Sequence, residues 1–186
     1  MATRSAIINV MARAADKAAR GLTPDFVEVE QLQVSAKGPA DFVSTADHRA
    51  EKVLREELTK ARPGFGLVME ESGAIAGKDP DHRWIVDPLD GTTNFLHGLP
   101  HWAVSIALEH KGEIVAGVIL DPAKDELFVA EKGSGAWMND RRLRVSGRRT
   151  MIEGIFATGV PFGGGPGLPA LLQGLAPPRP GCAGGR

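Results

Sequence analysis

Apolar positions recur at helical spacing in two stretches of the first sixty-one residues, 7–18 and 50–61, and alternate in short runs between and after them. Ile7, Val10, Met11, Ala14 and Ala18 repeat every three or four residues, which predicts an amphipathic helix stopped by Gly21. The stretch 26-FVEVEQLQV-34 then alternates, with Val27 and Val29 followed by Leu32 and Val34 after a slip of one. That pattern predicts strands with a turn or bulge. Thr45 is the expected N-cap of a second helix, in which Ala50, Val53, Leu54, Leu58 and Ala61 share a face, and Pro63 and Gly64 end it. Five apolar runs come next: 67-LVM-69, 84-WIV-86, 103-AVSIALE-109, 114-IVAGVILD-121 and 126-ELFVAEK-132. The last three are joined by the short links 110–113 and 122–125, which predicts an antiparallel meander. Gly133, Gly135 and the pair Asn139-Asp140 mark further turns. Two helices followed by a largely antiparallel sheet give an α+β fold. Beyond residue 162 the pattern stops: 13 of the 24 residues in 163–186 are Gly or Pro, so 1–162 is expected to be the ordered part and 163–186 an irregular tail.

Composition narrows the picture without deciding it. Hydrophobic residues make up 42% of the 186 and charged ones 24%, the mix of a globular protein with one core. Lys and Arg number 22 against 23 Asp and Glu, so no charge excess points to nucleic acid. Cys182 is the only cysteine, which rules out an internal disulfide framework and favours a reducing cytoplasm. No segment is long and apolar enough to span a membrane. The N-terminal basic residues Arg4, Arg13, Lys17 and Arg20 hint at a transit peptide, but Asp16 interrupts them and an ordinary first helix explains their spacing.

The chemistry concentrates in 84-WIVDPLDGTTNF-95. An apolar run ends in two carboxylates three residues apart, followed by a glycine and two hydroxyls. Two nearby acids repel and resist desolvation, so such a run is costly unless something binds there. Hard divalent cations such as Mg²⁺ take oxygen ligands, usually one or two carboxylates with water and substrate phosphate. Asp87, Asp90 and the Leu89 carbonyl supply cation ligands, and the Gly91 and Thr92 amides offer a phosphate cradle. Glu70 and Glu71 end another strand, and Asp47 opens the second helix. Each has a plainer reading: a Glu-Glu pair is usually solvated, a first-turn Asp answers the helix dipole, and a lone Asp-Gly is a turn. His97 and His101 have H-x₃-H spacing but no further support for zinc, and Trp84, Trp102 and Trp137 read as core residues. Two residues separate Asp87 from Asp90, whereas haloacid-dehalogenase-type phosphatases have one between their acids. The spacing therefore favours attack by metal-activated water over an aspartyl-phosphate intermediate.

The same stretch resembles the first signature of the inositol monophosphatase family, within the lithium-sensitive sugar phosphatases. The segments 37-KGPADFVSTAD-47, 70-EES-72 and 133-GSGAWMNDRRLRVS-146 resemble the family as well, and 98–137 is especially like its bacterial members. The resemblance implies a layered αβαβα sandwich, a homodimer, two or three Mg²⁺ ions and inhibition by Li⁺. It implies that Glu70, Asp87, Leu89 and Asp90 bind metal, that Thr92 with Asp47 and Glu70 serves the attacking water, and that Asp90, Gly91, Thr92 and Lys37 meet the phosphate. The implied substrate is inositol monophosphate or a related small polyol or sugar phosphate. Histidinol phosphate, a nucleotide 3′-phosphate and fructose bisphosphate are alternatives, as is a regulatory or binding protein without turnover. The family also carries a W-D-x-A motif in its second half, whereas no Asp or Glu follows Glu153 in these 186 residues. A truncated or aberrant tail, and an incomplete second metal site, are the corresponding expectations.

Overall fold

The computed structural model describes residues 4–32 and 39–155. Two long helices come first, α1 (Ala6–Leu32) and α2 (Pro39–Ala61). They are followed by β1 (Gly66–Met69), β2 (Gly73–Ile75), β3 (His82–Asp90), the short α3 (Thr92–Leu96), β4 (Ala103–His110), β5 (Glu113–Asp121), β6 (Glu126–Glu131), β7 (Gly135–Met138) and β8 (Arg141–Arg142). The strands form one sheet in the order β2-β1-β3-β4-β5-β6-β7-β8. Every neighbouring pair is antiparallel except β1 and β3, which run parallel. The α+β expectation holds. The described residues from Arg144 to Ile155 belong to a separate unit, in which a 3₁₀ turn at Met151–Glu153 is closed by a capping box between Thr150 and Glu153. Among the described residues no helix is long and apolar enough to cross a membrane.

Period-two alternation along the meander sets which face is buried. Val104, Ile106 and Leu108 on β4, Ala116 and Val118 on β5, and Val129 on β6 are buried with Met11, Ala15, Leu22, Leu54 and Leu58 of the helices. The β4–β5 link turns at Lys111 and Gly112, both with positive φ (53° and 81°), the conformation of a tight two-residue hairpin. Asn139 and Asp140 do the same between β7 and β8. Trp84 and Trp102 are core residues as expected, at 0% and 3% exposed.

Two sequence expectations give way. The stretch 26-FVEVEQLQV-34 does not form strands: α1 continues unbroken through Leu32, with Val34 outside the described residues. Leu22, Phe26 and Val29 continue the helical stripe, and Val27 faces out at 61% exposed. Phe26 packs into an aromatic trio with Phe95 and Trp102, with ring centroids 5.0–5.5 Å apart, and that burial outweighs the local β propensity. Pro24 lies inside the helix, where its ring removes the amide that would serve the Arg20 carbonyl. Nor does Thr45 begin α2, which starts six residues earlier at Pro39. The fixed φ of proline suits a first helical position.

Candidate metal and phosphate site

Parallel pairing of β1 with β3 decides which acids meet. Met69 lies opposite Val86, so the residues that follow, Glu70 and Asp87, leave adjacent strand ends together, close enough for each to shift the other's titration. On its other side β3 pairs with β4, where Asp87 faces Ser105 and Asp90 faces Ala103. Three steps on β3 thus match two on β4, a β-bulge that re-aims the strand end. Pro88, which has no amide to give a sheet ladder, sits inside this bulge. Asp87 Oδ1 accepts the Leu89 amide at 3.1 Å, and the Thr92 hydroxyl donates to the Leu89 carbonyl at 2.9 Å.

Gly91 turns the chain from β3 into α3 with φ of 88°, in the left-handed region. A Cβ there would lie 2.9 Å from the His101 carbonyl oxygen, so both the turn and the close approach require glycine. No side chain caps the first turn of α3, which leaves its leading amides available to an anion. Asn94 Nδ2 donates to the same His101 carbonyl at 2.8 Å and ties the 97–101 loop to the turn.

From the opposite layer, α2 delivers Asp47, only 4% exposed, with Oδ1 lacking a hydrogen-bond partner among the described residues. Burial first, then the charges of Glu71 and Asp87, push its carboxyl up to about 6. Glu70, although exposed overall, is pushed up to about 7, by partial desolvation first, then by Asp87 beside it, then by the charges of Asp47 and Glu71. Asp87 is also raised, by burial and by Asp90. The acids therefore strain against one another, and a divalent cation would turn that repulsion into attraction. Among the described residues no three His, Cys, Asp or Glu side chains form a ready cage. Mg²⁺ does not need one, since one or two carboxylates, a carbonyl and waters complete its shell. The all-oxygen donors Glu70, Asp87, Asp90 and Leu89 O, beside an unpartnered Asp47 oxygen, fit such an ion.

Asp47, Glu70, Asp87, Leu89, Asp90, Gly91 and Thr92 thus lie at one end of the sheet. Lys37 is outside the described residues, as is the boundary at residue 162. The Thr92 hydroxyl proton goes to Leu89 rather than to Asp47. His101 Nδ1 lies 2.9 Å from Lys124 Nζ, an arrangement unlike a zinc ligand. Sequence reasoning missed Glu51, buried on α2 four residues after Asp47. The i, i+4 spacing of two acids on one helix face was the available signal.

The raised carboxyls make a pH prediction for the metal-free chain. A folded-state pKa above the unfolded value means that the fold holds extra protons between the two, so stability is highest at low pH and is lost as pH rises. With chelator present, the thermal midpoint is expected to fall between about pH 4 and pH 7, the window spanned by Asp47 and Glu70. Asp47, being buried, accounts for on the order of 1–3 kcal/mol of this. Thermal melts of wild type and Asp47→Asn across that range check it: the variant's profile should be flatter, and equal slopes refute the assignment.

Two helices over one face of a mixed sheet, with acids gathered where its two parallel strands end, define an α+β fold of the sugar-phosphatase type. The chain belongs to the inositol monophosphatase family, whose model matches residues 3–167. It is 62% identical over 158 residues to the inositol-1-monophosphatase of Mesorhizobium japonicum, covering 85% of this chain and 59% of that protein. It is 43% identical over 156 residues to Nus factor SuhB of Pasteurella multocida, covering 84% and 58%. The crystal structure of extragenic suppressor protein suhB from Bartonella henselae matches with a TM-score of 0.80 and 61% identity, over 90% of this chain and 64% of that one. The chain therefore spans less than two thirds of the length of these relatives.

Proposed function

We propose that these residues bind Mg²⁺ and phosphate in a phosphomonoesterase acting on inositol monophosphate or a related small polyol phosphate. The parallel register that brings Glu70 beside Asp87, with the bulge returning Asp90, carries this reading. Glu70, Asp87, Asp90 and the Leu89 carbonyl would hold the ions. When bound, Mg²⁺ would offset phosphate charge and acidify a water. Asp47 offers its unpartnered oxygen as an acceptor for a water proton, and Thr92 orients the same water through its hydroxyl oxygen. The Gly91 and Thr92 amides face the phosphate oxygens. The family resemblance adds Lys37, outside the described residues, as a candidate further cation for the phosphate. A cytoplasmic homodimer inhibited by Li⁺ is the corresponding setting.

The likeness to proteins named Nus factor SuhB favours a second reading, a binding role without turnover. A panel of inositol, histidinol, nucleotide 3′- and fructose phosphates, assayed with Mg²⁺ and with chelator, separates the two. Release of phosphate from inositol monophosphate that stops on chelation is expected once the chain is extended to its relatives' length, with little or no turnover by the 186 residues alone. Metal-independent release, or none from any panel member when the chain is extended to its relatives' length, rejects the phosphatase reading.

A further inference from the structure

Glu51 is 7% exposed, and a carboxylate so buried needs partners. Among the described residues, its three hydrogen bonds all come from the turn just after β1. The Glu71 amide donates to Oε2 at 3.0 Å, the Ser72 amide to the same oxygen at 3.4 Å, and the Ser72 hydroxyl to Oε1. Glu71 directly follows Glu70, so these bonds grip the backbone that carries a metal-ligand candidate. Asp47 stands one helical turn earlier on the same rigid element. One helix thus places Asp47 directly and Glu70 through this clamp. A purely structural tie would be made at less cost by a neutral side chain, because a carboxylate adds negative charge where Asp47, Glu70 and Asp87 already crowd. A carboxylate accepts from both amides and the hydroxyl at once, and charge-assisted bonds are stronger than neutral ones.

We propose that Glu51 is a positioning residue: by clamping the 71–72 backbone to α2, it holds Glu70 against Asp87 and sets the affinity of the acid cluster for a divalent cation. The inference rests on the reading of that cluster as an Mg²⁺ site. Isothermal titration of the full chain with Mg²⁺ alone, well below the thermal midpoint, tests it in wild type, Glu51→Gln, Ser72→Ala and Asp87→Asn. Glu51→Gln keeps the size of the side chain and one acceptor oxygen but turns the other into a donor, facing the Ser72 hydroxyl. It is expected to weaken Mg²⁺ binding about 10–100-fold, the range found when partners that orient metal ligands are lost. Ser72→Ala, which leaves Glu51 in place, should weaken binding in the same direction by less. Circular dichroism establishes that each variant is folded before titration. Wild-type dissociation constants in both folded variants, with binding absent in Asp87→Asn, overturn the role of Glu51 and leave the metal site standing. Absence of binding in wild type overturns both.

Discussion

Asp87→Asn is expected to abolish the stabilisation that Mg²⁺ gives the wild-type chain while leaving the metal-free fold intact or firmer. A ligand that binds only the folded state stabilises it by about 2.7 kcal/mol at a hundred times its dissociation constant. Asp87 is central to the acid cluster, beside Glu70 in the parallel register and raised by burial and then by the charge of Asp90, so its loss removes a ligand common to both expected metal positions. Asparagine keeps the oxygen that accepts the Leu89 amide at 3.1 Å, so the bulge survives. It also deletes a charge that pushes Glu70 and Asp47 upward, which relieves repulsion in the absence of metal. Thermal melts at pH 7.5 with chelator and with saturating Mg²⁺ give the two quantities. An Mg²⁺-linked rise equal to that of wild type would remove Asp87 from the site.

Much of the site was legible because its signals are local. Asp87, Leu89, Asp90, Gly91 and Thr92 are contiguous, and a glycine after two acids at a strand end announces both the turn and the binding cost. Glu70 was legible as another acid at a strand end, but its meeting with Asp87 depends on the parallel register of β1 and β3, which no local pattern encodes. The meander was readable from two-residue alternation and short polar links. The continuation of α1 was not, because 26-FVEVEQLQV-34 satisfies a period of two as well as the helical stripe of Leu22, Phe26 and Val29. Packing of Phe26 against Phe95 and Trp102 decides between them, and those partners lie about seventy residues away. Gly21 was the expected stop of the first helix, and Pro24 follows it. A Cβ at Gly21 would meet nothing within 4 Å, and proline's φ is already helical, so neither ends the helix. Glu51 escaped notice because two of its three bonds come from backbone amides, which every sequence has and none advertises.

The second large effect is expected at Thr92. Thr92→Ala should lower kcat about 100-fold or more and change KM little, since misplacing a reacting group by about 1 Å costs roughly that factor and orientation acts mainly in the transition state. In the structure the Thr92 hydroxyl donates its single proton to the Leu89 carbonyl at 2.9 Å. That bond fixes the hydroxyl rotor and leaves the oxygen lone pairs to accept from a water, while the unpartnered Asp47 oxygen is a second acceptor for it. Two acceptors on one water aim its remaining lone pair. Alanine removes one of them and also frees the Leu89 carbonyl that the metal site would use. Thr92→Ser keeps the hydroxyl and should retain most of the rate, which separates orientation from the loss of a methyl group. The comparison is made on this chain with the remainder of the Mesorhizobium relative grafted after Phe162, so that the acids expected from the family's second half are present. If Thr92→Ala there turns over as fast as the parent, the hydroxyl serves only the turn, and the water must be held by Asp47 and Glu70 alone.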